Sequence, residues 1–572
     1  MIPRFTSLLL FTILSTILCT SVRNLADERD LILCTYEIET IEEPTRIFGD
    51  KFEPNADLQI IHNGEVIPFS TYYTFESTGT QYLTIVVTTD FNADFMFKGV
   101  YNLKSVEMRS PNELSITGME SMLDTCRNLY RFSLTGFKTN QVTSLKRFLY
   151  GTTGIAQLDL SELNTESVED MSSMFEASGV FQLYLTNFNT RRVMNMNSMF
   201  KWCQNLAEVD LSSFDTSNVE DMSYMFLWNE NLISLDLSNF DTSNVRDMSW
   251  MFYFCSSLTS LDLSNFETWD VENMSRMLSN LSRVKKLDLK NFNTKRVTDM
   301  SALFCGDKNL QEVDISSFST SKVKDLSDMF NSCLKLTSLD VSNFDTSKVE
   351  SMQSMFRNCE SLTSLDVSNF VTSNVVNMEG MFSSMRSLEK LNLDNFDTTE
   401  VENFDSMFEN CEKLTELNLN HFDVRKVQRM GRMFASCVGL KKLDLSNWVT
   451  ESLKEMEEIF VDCKAIEVLK VDKFNTASVT DMSYVFSGCE SVEELDLSSF
   501  NTNKVKDMFA MFKMCVSLKK LNVENFDMTN VDDYNYLFES CQPFELILGQ
   551  DNGKCQNLII NAPTGTTLIY VK

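Results

Sequence analysis

Apolar residues recur along this chain with a period of 26 residues. Phenylalanine stands at Phe188, Phe214, Phe240, Phe266, Phe292, Phe318, Phe344, Phe370, Phe396, Phe422, Phe474, Phe500 and Phe526, and Trp448 fills the one gap. Inside a repeat, Leu258, Leu261, Leu263 and Phe266 give L-x-x-L-x-L-x-x-F. The L-x-L core alternates apolar and polar residues, which predicts a short strand with Leu261 and Leu263 on one face and Asp262 on the other. Val271, Met274, Met277 and Leu278 follow at steps of 3, 3 and 1. That spacing suits about one and a half turns of helix, or a tight turn. Asn273 sits where an N-cap belongs, as do Asp170, Asp221, Asp247, Asp299, Asp325, Asp481 and Asp507 in other copies. A short polar side chain there accepts hydrogen bonds from otherwise unpaired N–H groups. A small polar link such as Ser256-Ser257 returns the chain to the next strand.

One such coil cannot bury its apolar face alone, so neighbours must stack on it. The strands then pair in parallel, about 4.8 Å apart, and the phenylalanines form an aromatic spine. Following the M-F step from Met122-Leu123 to Leu537-Phe538 gives about 17 coils.

The ends read differently. Residues 1–23 have the form of a secretory signal peptide, with Arg4 ahead of the apolar run Leu8 to Leu18. Leu18 before Cys19 is too large for a lipoprotein box. Residues 24–103 lack the period and hold β-branched and aromatic runs with Asn63-Gly64 and Thr78-Gly79-Thr80 at turn positions. They predict a small antiparallel β domain, an end cap in preference to a carbohydrate-binding module. The coils occupy 104–543, worn at first: Pro111 and Leu163 replace the phenylalanine, and one residue is lost near Gly179. Residues 544–572, ending LIINAPTGTTLIYVK, predict two strands and a turn as a C-terminal cap. No transmembrane helix or lipid-anchor tail is expected there.

A net charge of −31 argues against nucleic acid or bare anionic lipid as partner and favours a basic one. Eleven of the 15 cysteines, from Cys126 and Cys203 through to Cys541, share one place four residues after the methionine of the M-F step. They form one inward column, either of buried thiols or of bridges between adjacent coils, and parallel side-chain vectors favour thiols. In the C-terminal region Cys541 and Cys555 could pair. The coil-period spacing and only two histidines, His62 and His421, do not suit zinc, and no cofactor or metal is expected. No phosphate loop, nucleophile elbow or singular charged cluster supports catalysis, so the chain reads as a non-enzyme with no catalytic residue.

Three surface features stand out. Aspartates inside L-D-L, among them Asp236, Asp262 and Asp288, point outward and would repel one another across coils, raising each other's pKa. They make either an acidic strip for a basic ligand or a solvated face. The threonines of F-D-T and the asparagines of S-N-F read as structural columns. Trp202, Trp228 and Tyr253-Phe254 align on three successive coils as an exposed aromatic patch, the leading candidate contact site. Asn273 and Asn280 begin N-x-S sequons and are candidate N-glycosylation sites.

The L-x-x-L-x-L core resembles the leucine-rich repeat. The longer pattern C-x-x-L-x-x-L-D-L-S-N-F-D-T-S-x-V-x-D-M-S-x-M-F resembles the repeat of Mycoplasma-lipoprotein-associated and BspA-like surface proteins. Cys333 to Phe356 matches it apart from Val341 and Ser351-Met352-Gln353, and the resemblance covers roughly residues 106–541. It implies an α/β, leucine-rich-repeat-like right-handed solenoid of parallel strands and short helical turns, with a small N-terminal β domain. It also implies a secreted or cell-surface scaffold for adhesion or partner contact with protein or glycan on another cell or matrix. The alternative is a passive structural or coat protein that self-assembles.

Overall fold

The computed structural model describes residues 29–41, 43–54, 58–550 and 553–571. The expected signal peptide and Cys19 lie outside the described residues. The chain divides into two compact units, Met1–Leu258 and Thr259–Lys572.

The first unit begins with a six-stranded sheet. Its strands lie in the order Arg131–Thr135, Leu103–Arg109, Asp30–Ile38, Gly79–Val87, Gln59–His62 and Glu65–Ile67. Asp30–Ile38 pairs antiparallel with both neighbours, whereas Leu103–Arg109 and Arg131–Thr135 run parallel. The strand at the expected 103/104 boundary is therefore shared: antiparallel toward the cap, parallel toward the coils. The stack also reaches further back than the sequence period suggests. Met96-Phe97 is itself an M-F step, and the Phe97 and Gly99 N–H groups bond to Met122 and Asp124 in the next coil (both 2.8 Å).

Every later coil has the same cross-section. The L-x-L strands are short and parallel, as in Gln157–Asp159 on Gln182–Tyr184 and Lys442–Asp444 on Val468–Lys470. The M-x-x-M-F step is not the short helical turn anticipated; it is a run of turns. N–H groups alternate in direction. Met199, Lys201 and Cys203 close on the residue three back, while Ser198, Phe200 and Trp202 bond to Ser223, Met225 and Leu227 of the next coil. A helix needs every N–H for its own residue four back, and here half of them hold the coils together. Two residues per coil take left-handed backbone to make this corner, Ser198 (φ 58°) and Trp202 (φ 60°) in this one.

Side chains fill the interior as columns. The F-D-T phenylalanines stack, as in Phe344 on Phe370 (6.5 Å, 2° between planes), and those of M-F make a second spine, as in Phe408, Phe434 and Phe460 at 5.7 Å steps. Phe434 and its methionine neighbours are fully buried. Thr216 is buried, donates to the Asp241 carbonyl and accepts from the Asp241 N–H (both 2.8 Å). Asn239 donates to the Leu211 and Phe214 carbonyls (3.0 and 2.7 Å). Both columns are structural, as the sequence suggested. The D-M-S acids act as caps of turns rather than helices: Asp221 accepts the Ser223 N–H at 2.8 Å.

The C-terminal region departs from expectation. Glu545–Leu548 stays in the parallel sheet, Leu546 opposite Leu521, so the coils persist one rung further. Of the two strands read in the last stretch, the first is a helix, Gln556–Asn561, with only Leu558 buried; the second is the strand Thr567–Tyr570 on Glu545–Leu548. Asn561-Ala562-Pro563 ends the helix, because the residue before proline is pushed to extended backbone, as Ala562 is (ψ 142°).

Candidate functional site

The aromatic patch lies on the left-handed corner of the first unit. Trp202, Trp228 and Phe254 occupy one left-handed column (φ 60°, 61° and 62°). Tyr224 and Trp250 occupy the other (φ 60° and 59°). The column register is fixed by the backbone, since the Trp202 N–H bonds to Leu227 and the Trp228 N–H to Tyr253. Trp228 stacks on Phe254 at 4.9 Å, and Trp202 leans on Trp228 at 6.3 Å with 56° between planes. Tyr224 stacks on Trp250 at 5.9 Å, and Tyr253 packs between Trp250 (4.7 Å) and Phe254 (5.1 Å). The result is one ridge of six rings. Trp202, 49% exposed, stands at its near end, where the preceding coil has only Ala177 in the same column. The Lys201 ammonium lies 5.8 Å from the Trp202 ring and 5.6 Å from the Tyr224 ring, and pairs with Glu176 at 3.0 Å.

The sequence placed Trp202, Trp228, Tyr253 and Phe254 together, but only Trp202 is exposed and the other three are half-buried, because each ring packs on the next; it missed Tyr224 and Trp250. The missing pair carried a signal: both sit at the x of M-S-x-M-F, one period apart. Bulky residues in left-handed backbone are uncommon and strained, by an amount on the order of 1–3 kcal/mol each. Retaining five of them on three coils is what sets this corner apart.

The L-D-L strip behaves differently from expectation. Asp236 in the first unit and Asp262 and Asp288 in the second are exposed. Asp236 and Asp288 are lowered rather than raised. Asp236 is lowered by the Ser238 backbone N–H and hydroxyl, and Asp288 by Lys290, whose ammonium lies 2.8 Å away. Asp314, Asp340 and Asp366 are lowered by the serine two residues on. A local donor two residues away outweighs a like charge one coil away across water. In the second unit the strip floors an open trough of about 530 Å³, lined by Lys286, Asp288, Glu312, Asp314 and Asp340. Its charges are mixed, with Lys286 paired to Glu312 at 2.7 Å.

Both sequon asparagines are partly buried and engaged. Asn273 Oδ1 accepts the Ser275 N–H and hydroxyl (3.0 and 2.8 Å), and Asn280 donates to Ser279. A Cβ at Gly306 would collide with the Asn280 amide, so a glycan there would have to displace that packing. All described cysteines are free. Cys541 and Cys555 do not pair; their thiols donate to the Phe512 and Phe526 carbonyls (3.0 and 3.2 Å). Burial pushes the column thiols up, Cys255 and Cys437 to about 12. His62 is held by Tyr73 and Gln81, and His421 by the Leu393 carbonyl. Among the described residues no group of three or more His, Cys, Asp or Glu is arranged to hold a metal ion, and no helix is long and apolar enough to cross a membrane.

Fold and surface together define a β-solenoid of 26-residue coils with leucine-rich-type strands. The family described as "Mycoplasma protein of unknown function, DUF285" matches in overlapping stretches, 91–209, 203–286, 280–390, 361–469 and 441–552, and the chain belongs to it. None of the curated proteins compared matches the sequence. Among solved structures, a leucine-rich-repeat protein of Leptospira interrogans is 14% identical, with 72% of this chain and 91% of that one covered. Its TM-score is 0.19, too low to establish a shared course of the chain.

Proposed function

We propose that this protein is a non-enzymatic binding scaffold, secreted or displayed at the cell surface in the manner of BspA-like proteins, and that it mediates adhesion through protein or glycan contacts. The observation that carries this reading is the ridge of Trp202, Tyr224, Trp228, Trp250, Tyr253 and Phe254. Large aromatic side chains on a rigid frame concentrate binding energy at little cost in side-chain entropy. The frame itself does not require them, because Ala177 fills the same column one coil earlier.

The test is binding of the purified chain to intact host or neighbouring cells across a salt series. The comparison is a variant carrying Trp202→Ser, Trp228→Ser and Phe254→Ser. Serine occupies this column natively at Ser332, Ser384 and Ser436, so the variant keeps its backbone. Saturable binding weakened about tenfold or more is the expected result. Equal binding by both proteins overturns the ridge as contact face, and binding abolished by salt alone transfers the role to the L-D-L strip.

One observation favours the structural alternative. The strand Thr567–Tyr570 is exposed at all four positions and forms the last rung of its sheet, with Leu568, Ile569 and Tyr570 uncovered. Such an edge is a template for pairing with another chain. Concentration-dependent assembly without cell binding would support that reading.

A further inference from the structure

The buried column behind the M-F corner is mostly cysteine, and its geometry shows what the position requires. In the second unit Cys333, Cys359, Cys411, Cys437, Cys463 and Cys489 each donate to the carbonyl of the phenylalanine 29 residues earlier, at 3.1–3.4 Å. In the first unit Asn229 does the same with its amide, to the Phe200 carbonyl at 2.9 Å. Most polar residues of the column thus donate to that carbonyl, and Leu281 and Met385 are apolar, buried exceptions.

At 307 the residue in this column is aspartate, 1% exposed. Its Oδ1 accepts the Leu281 N–H at 2.7 Å, and its Oδ2 has no hydrogen-bond partner. The carbonyl 29 residues back is that of Leu278. In a regular coil that carbonyl also receives the N–H three residues on, as Phe330 receives Cys333 at 3.2 Å. Here that N–H belongs to Leu281 and has turned to Asp307 instead. An acceptor and an orphaned oxygen thus share one place in the register, and only a protonated carboxyl joins them. The same seam lacks the ring stack, since Leu278 replaces phenylalanine below Phe304, whereas Phe304 and Phe330 stack at 5.4 Å above it.

We propose that Asp307 is a neutral carboxylic acid whose Oδ2 hydrogen replaces the missing thiol toward the Leu278 carbonyl, and that its ionisation opens the seam between the Leu278 and Phe304 coils. A buried carboxylate with no counter-charge is strongly disfavoured. Burial holds this carboxyl well above its ordinary range, opposed only by the Leu281 N–H. The titratable groups beside it are the Cys305 and Cys333 thiols, both raised by burial and neutral. Arg276 and Asp328 act on the Cys305 thiol. The sign follows. Because the folded value is raised, closing the seam takes up a proton. Its stability is greatest below the ordinary carboxyl value of 3.8 and falls as pH rises from there toward the folded value. Over that window the opening constant grows about tenfold per pH unit.

Hydrogen exchange of the full chain tests this. Protection of the Asn280 and Leu281 amides, corrected for intrinsic exchange, is followed from about pH 5 to about pH 8 in the wild type, Asp307→Asn and Asp307→Cys. Both replacements are native to this column elsewhere, at Asn229 and Cys333, so both variants are expected to fold. Wild-type protection should fall as pH rises, by about tenfold per pH unit for as long as Asp307 is protonated in the closed seam, and stay flat in both variants. Infrared difference spectra should show a protonated-carboxyl band in the wild type that Asp307→Asn removes. Flat protection in the wild type, equal slopes in wild type and Asp307→Asn, or no such band overturns the proposal.

Discussion

The left-handed corner of the first unit and that of the second share one backbone and carry opposite surfaces. In the first unit Trp202, Trp228 and Phe254 stand where the second has Ser332, Asn358, Ser384, Asn410 and Ser436. Along these coils the second unit's corner is polar and stapled: Arg432 pairs with Glu409 at 2.7 Å and also with Glu458, and Arg386 bridges Glu360 and Glu412. Small polar residues are what left-handed backbone tolerates most readily. From Ser332 to Ser436 this column of the second unit follows that local rule, and apolar bulk returns to the corner only further on, at Tyr484, Met514 and Tyr536, whereas the first unit breaks the rule in both left-handed columns of successive coils. Corner side chains therefore vary without moving the frame, because the frame is held by buried columns and by N–H groups that cross between coils.

The comparison breaks most readily from inside. Phe434→Ala removes a fully buried ring from the middle of a stack and should cost about 3–5 kcal/mol, read as a lowered denaturant midpoint. Trp228→Ser at the corner should change stability by about 1 kcal/mol or less, since lost ring contact offsets relieved backbone strain. Equal costs for the two would end the distinction between frame and corner.

Thr372→Val should fall between them. The hydroxyl donates to the Asp397 carbonyl and accepts the Asp397 N–H, both at 2.8 Å, and valine leaves both groups unmet, for about 1–3 kcal/mol. The smallest stability effect is expected at Arg386→Ala, below about 1 kcal/mol, because that side chain is 47% exposed, Glu360 and Glu412 are similarly open, and the pairs are screened. High salt should erase the difference between Arg386→Ala and the wild type.

Acid sharpens the contrast between exposed and buried carboxylates. Asp444 is lowered to about 2 by the Ser446 hydroxyl and Lys470, so its contribution is present above 3.8 and lost as pH falls toward 2. Asp307 has the opposite sign. Lys470→Ala should reduce the acid sensitivity slightly, seen as a shallower loss of stability between about pH 4 and about pH 2.

Most of the frame was legible because burial repeats. Val271, Met274 and Met277 recur at fixed steps since each must meet its equivalent in the next coil. The M-F step was harder: spacing of 3, 3 and 1 is compatible with helix and with turns, and what decides is where the N–H groups go. Those bonds run to residues about 25 positions away. The aspartate strip was misjudged for a similar reason, as the repeating charge is conspicuous in the sequence while the serine N–H that stabilises it belongs to a turn geometry.

The sequence by itself determined the period, the strands, the apolar columns and the alignment of Trp202, Trp228 and Phe254, because a solenoid turns linear spacing directly into stacking. Tertiary structure alone decided that the corner is left-handed and non-helical, that Tyr224 and Trp250 join the ridge, and that Cys541 and Cys555 remain apart. It alone decided that the Leu281 N–H turns to Asp307 and that the Asp307 Oδ2 has no hydrogen-bond partner. Each of these depends on which donor meets which acceptor across a coil boundary, and that pairing is settled in space rather than along the chain.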